Sequence, residues 1–258
     1  RWMASHGHAW TPTYQNPSSA NLVSFRGGGY GLQEQWFKVA EGLGVEMRYD
    51  TEATELLQDD QGRVTGVRAL TRTGFVHFKG GATILACGSF ESNPEMRAEY
   101  LGPGWNQVKL RGVPYNTGVG LKAAIDIGAQ PFGSWSTCHA SPQDAARPAY
   151  DLPGPGVTGD YWSRYAYPFG IMVNREGRRF VDEGETWRGL TYAKMGRAIL
   201  AQPGAVAFQV FDARHRELNL LRSYEDAIGH KASTLEGLAK GMNILDVSSF
   251  VATVRDFN

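Results

Sequence analysis

The chain has 258 residues, 42% of them hydrophobic, which is enough to bury one large core or two modest ones. Lys and Arg total 26, as do Asp and Glu, so the charge balance gives no support for a nucleic-acid partner or an anionic membrane surface. No apolar run reaches the length of a membrane span, and no signal peptide is visible. Cys87 and Cys138 lack metal-site or redox spacing, so we expect a cytoplasmic protein without a metal site.

The first part of the sequence alternates between helical and extended patterns. Apolar residues at helical spacing predict a helix over residues 31–43, which Gly42 and Gly44 end. A strand and then a three-stranded meander follow, with turn residues between the strands. These predicted strands cover residues 45–49, 53–58, 63–71 and 75–78.

Residues 82–86 form a short continuous apolar run, typical of a strand that is buried on both faces of a parallel sheet. In Rossmann-like sheets, ligands bind at the carboxyl ends of the strands. Ala86, Cys87, Gly88 and Ser89 therefore lie where the backbone could approach a nucleotide. The alternative is that Gly88 only makes a turn.

A second glycine-led segment, residues 116–128, predicts another helix with apolar side chains along one face. The composition then changes, because residues 141–169 combine five prolines with six aromatic side chains. A loop of this length in a compact protein is either a functional lid or a disordered linker, and the aromatic residues favour the lid. We expect a domain boundary just before it, near Gly133.

The most informative segment is IMVNREGRRFVDEGETWR, residues 171–188. Residues 171–173 predict a strand, 174–177 a turn and 179–181 a returning strand. Four ionisable residues follow at once: Asp182, Glu183, Glu185 and Arg188. On spacing alone, such a cluster is typical of a solvated loop. Nearer the carboxyl terminus, Asp246 predicts the N-cap of an amphipathic helix.

The segment GRRFVDE, residues 177–183, resembles the G-x-R-F-x-x-E element of the fumarate reductase and succinate dehydrogenase flavoprotein superfamily. Four further motifs extend the resemblance over nearly the whole chain: RGGGYGL at 26–32, ATILACGSFESN at 82–93, YNTGVGLKAAIDIGA at 115–129 and AILAQPGAVAFQVFD at 198–212. Within that superfamily, WRGLTYAKMGRAILAQPG at 187–204 is most similar to FAD-dependent tricarballylate dehydrogenases. Several motifs in the right order are more specific than any one of them.

The resemblance implies an α/β fold in two parts. Residues 1–133 would form an incomplete Rossmann-like FAD-binding domain with a β-meander, and residues 134–258 an α+β capping domain. The implied cofactor of the full-length protein is FAD, held by Gly28, Gly29, Ala53, Ala86, Cys87, Gly88, Ser89, Thr117 and Gly118. The T-G-D-G pattern of these flavoproteins is T-G-V-G here, so Val119 replaces the acid and leaves backbone contacts.

The G-x-G-x-x-G turn that holds the FAD pyrophosphate in such proteins has no match in this sequence. The last predicted helix also runs to Asn258 without a stop signal. We therefore expect an internal piece of a longer protein, in which the isolated chain could lack FAD.

The chemistry implied by the resemblance is hydride exchange between N5 of FAD and a methylene carbon of a polycarboxylate, coupled to proton transfer on the adjacent carbon. Arg188 lies close to the superfamily's proton-transfer arginine, although one residue later than in fumarate reductases. Glu183 and Glu185 would be its carboxylate partners, because the very high pKa of arginine makes it a demanding proton-transfer group. The alternative for Arg188 is a surface ion pair.

His139, in STCHASP, stands where fumarate reductases carry a histidine that binds a substrate carboxylate. The alternative is an ordinary structural histidine. The Thr–Glu pair of fumarate reductases falls here near Trp162 and Ser163 and is not retained. This departure favours a related, bulkier substrate such as a tricarboxylate, with an electron acceptor that the sequence does not identify.

Two rival classes follow from other features of the chain. Adjacent Cys138 and His139 could form the nucleophile and base of a hydrolase, although sequence neighbours rarely point at each other. Alternatively, the chain is a catalytically silent domain fragment that does not bind FAD alone.

Overall fold

The computed structural model describes residues 1–12, 23–151, 162–217, 224 and 229–258. The strands among them are β1 (Trp10–Pro12), β2 (Val23–Phe25), β3 (Thr51–Gln58), β4 (Val64–Thr71), β5 (Gly74–Lys79), β6 (Ile171–Asn174) and β7 (Ala207–Val210). The helices are α1 (Trp2–Ser5), α2 (Gly28–Gly42), α3 (Pro94–Leu101), α4 (Val119–Asp126), α5 (Arg188–Leu200), α6 (Arg214–Glu217), α7 (Leu235–Gly241) and α8 (Val247–Phe257). This mixture of helices and small sheets confirms the predicted α/β class.

The described residues fall into two compact units. The first contains Arg1–Ala86 and Val119–Ala129, and the second contains Cys87–Gly118 and the described residues from 130 onward. The domain boundary near Gly133 stays a prediction.

The first unit is built on the predicted meander. Strands β3, β4 and β5 pair in chain order as an antiparallel sheet, and α4 packs against β3. Gly66 of β4 must be glycine, because an added Cβ would lie 2.0 Å from the carbonyl oxygen of Phe78. Helix α2 follows Gly27, whose φ of 78° is in the left-handed region that favours glycine.

Two of the predicted strands are wrong. Residues 45–49 and 82–86 are irregular, and Ile84 in the second segment is 90% exposed. An extended segment becomes a strand only when a neighbour accepts and donates its backbone hydrogen bonds. No described residue pairs with either segment in this way.

The second unit is organised around β6, whose four residues are all buried. Ile171 and Val173 face a core cluster that includes Ile244 and Phe250, whereas Met172 faces a second cluster with Tyr167 and Met195. The alternation follows from the two-residue period of a strand. Burial on both faces explains why residues 171–173 are continuously apolar.

The predicted hairpin after β6 forms only in part. The side chain of Asn174 accepts hydrogen bonds from the backbone N–H groups of Glu176 and Arg178, so the tight turn is present. The returning segment makes a single bridge, Val173 with Arg179, and is not a strand. Strand β7 pairs with all four residues of β6 along one edge, whereas at the other edge the N–H of Met172 donates to the side chain of Glu183 and not to the backbone of residues 179–181.

Residues 152–161 of the predicted lid lie outside the described residues. The described part is held by polar contacts, among them a bridge between Gln143 and Ser163. Buried Arg147 donates to the carbonyl of Leu110 and to the side chains of Gln143 and Asp151. Movement of residues 141–169 over a substrate stays a prediction.

No helix in the described part of the chain combines the length and the apolar character needed to cross a bilayer.

Candidate functional site

Five of the predicted cofactor-binding residues lie on two adjoining loops of the second unit: Cys87, Gly88, Ser89, Thr117 and Gly118. Hydrogen bonds between the loops hold them together. The backbone N–H of Ser92 donates to the carbonyl of Asn116 at 3.0 Å, and the side-chain amide of Asn93 donates to the backbone carbonyl of Thr117 at 3.0 Å. We call this pair of segments, residues 87–93 and 115–118, the paired loops.

Both glycines in the paired loops are required by the backbone. Gly88 has a φ of 73°, and an added Cβ would lie 2.8 Å from Oδ1 of Asn116. Gly118 has a φ of 81°, and its Cβ would lie 2.5 Å from Sδ of Met96 and 2.8 Å from Cβ of Phe90. These positions therefore present backbone and no side chain, as a close approach to a nucleotide requires.

Arg97, which lies on α3 and is buried, connects the first of the paired loops to the segment that follows α3. Its guanidinium donates to the backbone carbonyls of Glu91, Trp105, Asn106 and Val108. Burial lowers the pKa of Arg97 from its ordinary value. A planar group with five donors is suited to bridging several carbonyls at once.

Two polar atoms in the paired loops fit a polar ligand. Oε2 of Glu91 and Oγ of Ser92 are buried and have no hydrogen-bond partner among the described residues. Buried polar groups in folded proteins are nearly always hydrogen-bonded, so these atoms favour a ligand with hydrogen-bonding groups at this place. The donors and acceptors of FAD are compatible with them.

The other predicted cofactor residues, Gly28, Gly29, Ala53 and Ala86, belong to the first unit. Gly28 and Gly29 open α2, and a Cβ at either position would meet open space. Ala53 lies in β3 next to an irregularity in its pairing with β4. These four residues stay predictions.

Arg188 is the first residue of α5 and is half-buried. Its Cζ lies 5.4 Å from the ring centroid of Tyr165. Burial raises the pKa of the Tyr167 hydroxyl, whereas its hydrogen bond with Thr191 and the charge of Arg188 oppose that rise. None of the ion pairs found among the described residues involves Arg188.

His139 is held beside the same helix. The next residue, Ala140, makes two backbone hydrogen bonds with α5. Its N–H donates to the carbonyl of Ala193 at 2.7 Å, and the carbonyl of Ala140 accepts from the N–H of Gly196 at 2.8 Å. The imidazole of His139 is exposed and meets the ring of Tyr192 edge to face, with the centroids 4.9 Å apart.

The structure therefore brings His139 and Arg188 into one cluster through two tyrosines. Tyr192 meets Tyr165 edge to face at 5.3 Å, and the hydroxyl of Tyr165 accepts a hydrogen bond from Arg111. We call Arg111, His139, Tyr165, Arg188 and Tyr192 the aromatic–cation cluster.

Sequence reasoning missed three members of this cluster: Arg111, Tyr165 and Tyr192. Tyr192 lies four residues after Arg188 on α5, a spacing that puts both on one helix face. Tyr165 lies among the aromatic residues of the predicted lid. No sequence pattern pointed to Arg111.

Glu183 and Glu185 are each paired with a cation other than Arg188. Glu183 is buried, accepts from the backbone N–H of Met172 and binds both Nε and Nη2 of Arg179. These hydrogen bonds raise the pKa of Arg179. Glu185 pairs with Lys194 at the surface.

Cys138 does not have the electrostatics of a nucleophile. Its thiol is exposed, yet desolvation by neighbouring atoms raises the pKa, and the charges of Arg197 and Arg97 do not outweigh that effect. A nucleophilic cysteine needs a lowered pKa, because the thiolate is the reactive form. This argues against the hydrolase alternative.

Comparison with known proteins identifies the family of the chain. The profile of the FAD binding domain family matches residues 9–258. A fumarate reductase (cytochrome) of Shewanella frigidimarina is 30% identical over 266 residues, which cover 100% of this chain and 43% of that protein. A 3-oxosteroid 1-dehydrogenase of Mycobacterium tuberculosis is 29% identical over 193 residues, which cover 68% of this chain and 32% of that protein.

The solved structure of the open conformation of a flavocytochrome c3 fumarate reductase superposes with a TM-score of 0.71 and 25% identity, covering 100% of this chain and 44% of that chain. The chain thus spans less than half the length of these relatives. The match over residues 9–258 shows that the chain belongs to the FAD binding domain family, within the fumarate reductase and succinate dehydrogenase flavoprotein superfamily whose cofactor is FAD.

Proposed function

We propose that the full-length protein containing this chain is a FAD-dependent oxidoreductase that acts on a polycarboxylic acid, either tricarballylate-like or fumarate- or succinate-like. Bound FAD supplies hydride exchange at N5. The family membership and the names of the fumarate reductase relatives support this class of reaction. The choice of a tricarboxylate rests on the residues at 187–204 and on the unretained Thr–Glu pair.

The observation that carries the proposal is the charge of the aromatic–cation cluster. Arg188 has an aromatic contact and no carboxylate partner among the described residues, and exposed His139 lies in the same cluster. A substrate with two or three carboxylates would supply the missing negative charge. A guanidinium and an imidazole are suited to binding it, because both give charge-assisted hydrogen bonds to carboxylates.

We assign two roles within the cluster. Arg188 holds the proton that is exchanged with the substrate carbon, and His139 binds a substrate carboxylate. Because Glu183 fixes Arg179 and Glu185 pairs with Lys194, their proposed part in proton transfer requires a change of partner. Val119 lies in place of the family's acid, so the T-G-V-G segment would contribute backbone contacts to the flavin.

The test uses the full-length protein purified with its flavin. Initial rates are measured for fumarate reduction with a reduced dye, and for succinate and tricarballylate oxidation with an oxidised dye. A 3-oxosteroid serves as an uncharged control substrate. We expect turnover with at least one polycarboxylate and none with the steroid. Turnover with the steroid alone, or a flavin-loaded protein inactive on every polycarboxylate, would contradict the proposal.

A further inference from the structure

Tyr165 is the residue on which the aromatic–cation cluster converges. Its ring face lies against the guanidinium of Arg188, with Cζ 5.4 Å from the ring centroid, and it meets Tyr192 edge to face at 5.3 Å. Its hydroxyl accepts a hydrogen bond from Nη1 of Arg111. The hydroxyl contact fixes the direction of the ring axis, and the contact with Tyr192 restricts rotation of the ring about that axis.

The position of Arg188 in its helix makes this aromatic contact favourable. Arg188 is the first residue of α5, and Trp187 before it provides no side-chain cap. The amino-terminal end of a helix carries a partial positive charge, which disfavours a cation there. A ring face attracts a cation, and this attraction opposes the unfavourable interaction at the end of the helix.

The same ring links the two residues to which we assign substrate roles. Tyr165 contacts Arg188 directly, and it contacts Tyr192, which in turn meets the imidazole of His139. The spacing between the guanidinium and the imidazole is therefore set by two tyrosine rings. No ion pair among the described residues sets it.

We propose that Tyr165 is a positioning residue, which holds the guanidinium of Arg188 at a fixed distance from the carboxylate-binding imidazole of His139. The inference rests on the proposed function. The ring face carries this role, and the hydroxyl supports it by accepting the hydrogen bond from Arg111. Leucine at position 165 would preserve apolar packing and lose the positioning.

Two substitutions separate the ring from the hydroxyl in the full-length, flavin-loaded protein. Tyr165→Phe keeps both ring contacts and removes the acceptor for Arg111, whereas Tyr165→Leu removes the ring. We expect Tyr165→Leu to lower kcat by about 100-fold, as misplacement of a reacting group by about 1 Å does, with a smaller change in KM. Tyr165→Phe should keep most of the turnover. Tyr49→Leu, which removes an exposed tyrosine ring in the first unit, should leave both constants unchanged.

A second readout does not depend on turnover. Protons above a ring face are shifted upfield in NMR spectra, so the side-chain signals of Arg188 report its contact with Tyr165. Full-length protein labelled at arginine, with Arg188→Lys for assignment, should show the upfield shift in the wild type and in Tyr165→Phe. The shift should disappear in Tyr165→Leu. If Tyr165→Leu does not fold, as judged by its flavin spectrum, Tyr165→Met replaces it as the variant without a ring.

The two readouts fail in different ways. A wild-type protein that turns over no polycarboxylate would overturn the proposed function, and the NMR shift would still decide whether Tyr165 holds Arg188. An unchanged Arg188 signal in the variant without a ring, or normal turnover by it, would overturn the positioning role. An equal loss of turnover in Tyr165→Phe and Tyr165→Leu would also overturn it, because the hydroxyl and not the ring face would then carry the effect.

Discussion

The arginine residues of the second unit differ in what their guanidinium groups contact. Arg97 and Arg147 are buried, and their guanidinium groups donate hydrogen bonds to carbonyl and carboxylate oxygens. Arg188 lies over a tyrosine ring, a geometry that leaves the N–H edge of a guanidinium able to form two parallel hydrogen bonds with a carboxylate. This difference, more than sequence position, makes Arg188 the best candidate for contact with a substrate.

Replacing Arg188 with Lys in the full-length protein should lower turnover by about 10²–10⁴-fold while flavin binding survives. Lysine keeps the positive charge but loses the planar fork, and its donor lies elsewhere with a lower pKa. Steady-state rates with tricarballylate and fumarate, recorded beside the flavin absorbance spectrum, measure both effects. Near-normal turnover with either substrate would remove Arg188 from the mechanism.

The same substitution at Glu183 and at Glu185 compares the effects of a buried and an exposed ion pair on the free energy of unfolding. Glu183→Gln should lower the free energy of unfolding by about 2 kcal/mol, because it removes one charge of a buried pair. This is less than for a fully buried pair, since the side chain of Arg179 is 33% exposed. Glu185→Gln breaks only a surface pair and should cost less than about 1 kcal/mol. Urea unfolding measures both, and equal losses would contradict the burial argument.

At the scale of helices and strands, sequence patterns correctly predicted the elements that are determined by residues close together in the chain. The meander and α8 follow from alternation, turn residues and an N-cap, all of which lie within a few residues. Residues 45–49 and 82–86 have strand composition but no pairing partner among the described residues. The choice of β7 as the partner of β6, and the meeting of His139 with Tyr192, depend on residues far apart in sequence. Periodicity and spacing contain no information on such contacts.

Helix α8 should lose stability in acid through its N-cap. Hydrogen bonds from the hydroxyl of Ser248 and from the backbone and hydroxyl of Ser249 lower the pKa of Asp246 to about 2. A carboxyl whose pKa is lowered by folding stabilises the folded state fully above its unfolded value of about 3.9, and this contribution disappears as the pH falls through about 2.

Asp246→Asn keeps a side-chain acceptor for the cap but cannot titrate, so its melting temperature should fall less than that of the wild type between about pH 5 and pH 1.5. Asp246→Ala should melt lower than both at neutral pH. Circular dichroism melts across this range provide the comparison. Parallel acid curves for wild type and Asp246→Asn would show that the charge of Asp246 is irrelevant to α8.

If residues 141–169 close over a substrate, they should gain protection from hydrogen exchange only when both flavin and a polycarboxylate are bound to the full-length protein. The described part of this segment already contains buried Arg147, so we expect the gain to be concentrated away from it. Peptide-level exchange with flavin alone is the control. Equal protection with and without polycarboxylate would identify the segment as a structural arm.

At the scale of the whole molecule, the chain spans less than half of its relatives and has no G-x-G-x-x-G turn in its sequence. The paired loops offer backbone and two unpartnered polar atoms to a cofactor, but no match for the element that normally neutralises the pyrophosphate.

We therefore expect this chain alone to bind FAD weakly or not at all. Incubation with FAD, desalting and an absorbance spectrum test this expectation, with the full-length protein as the positive control. A stoichiometric yellow complex of the isolated chain would show that the residues of this chain suffice for binding.

The contacts of Arg97 have a consequence for protein engineering. One guanidinium donates hydrogen bonds to the carbonyls of residues 91, 105, 106 and 108. The side chains of Asn93 and Asn116 form hydrogen bonds between the two ends of residues 88–118. Residues 88–118 therefore contain many of the hydrogen-bonding partners that determine the conformation of the paired loops. A chimera that receives this stretch from a relative as one block should tolerate the exchange better than one that receives either loop singly, because a single loop would arrive without the partner that shapes it.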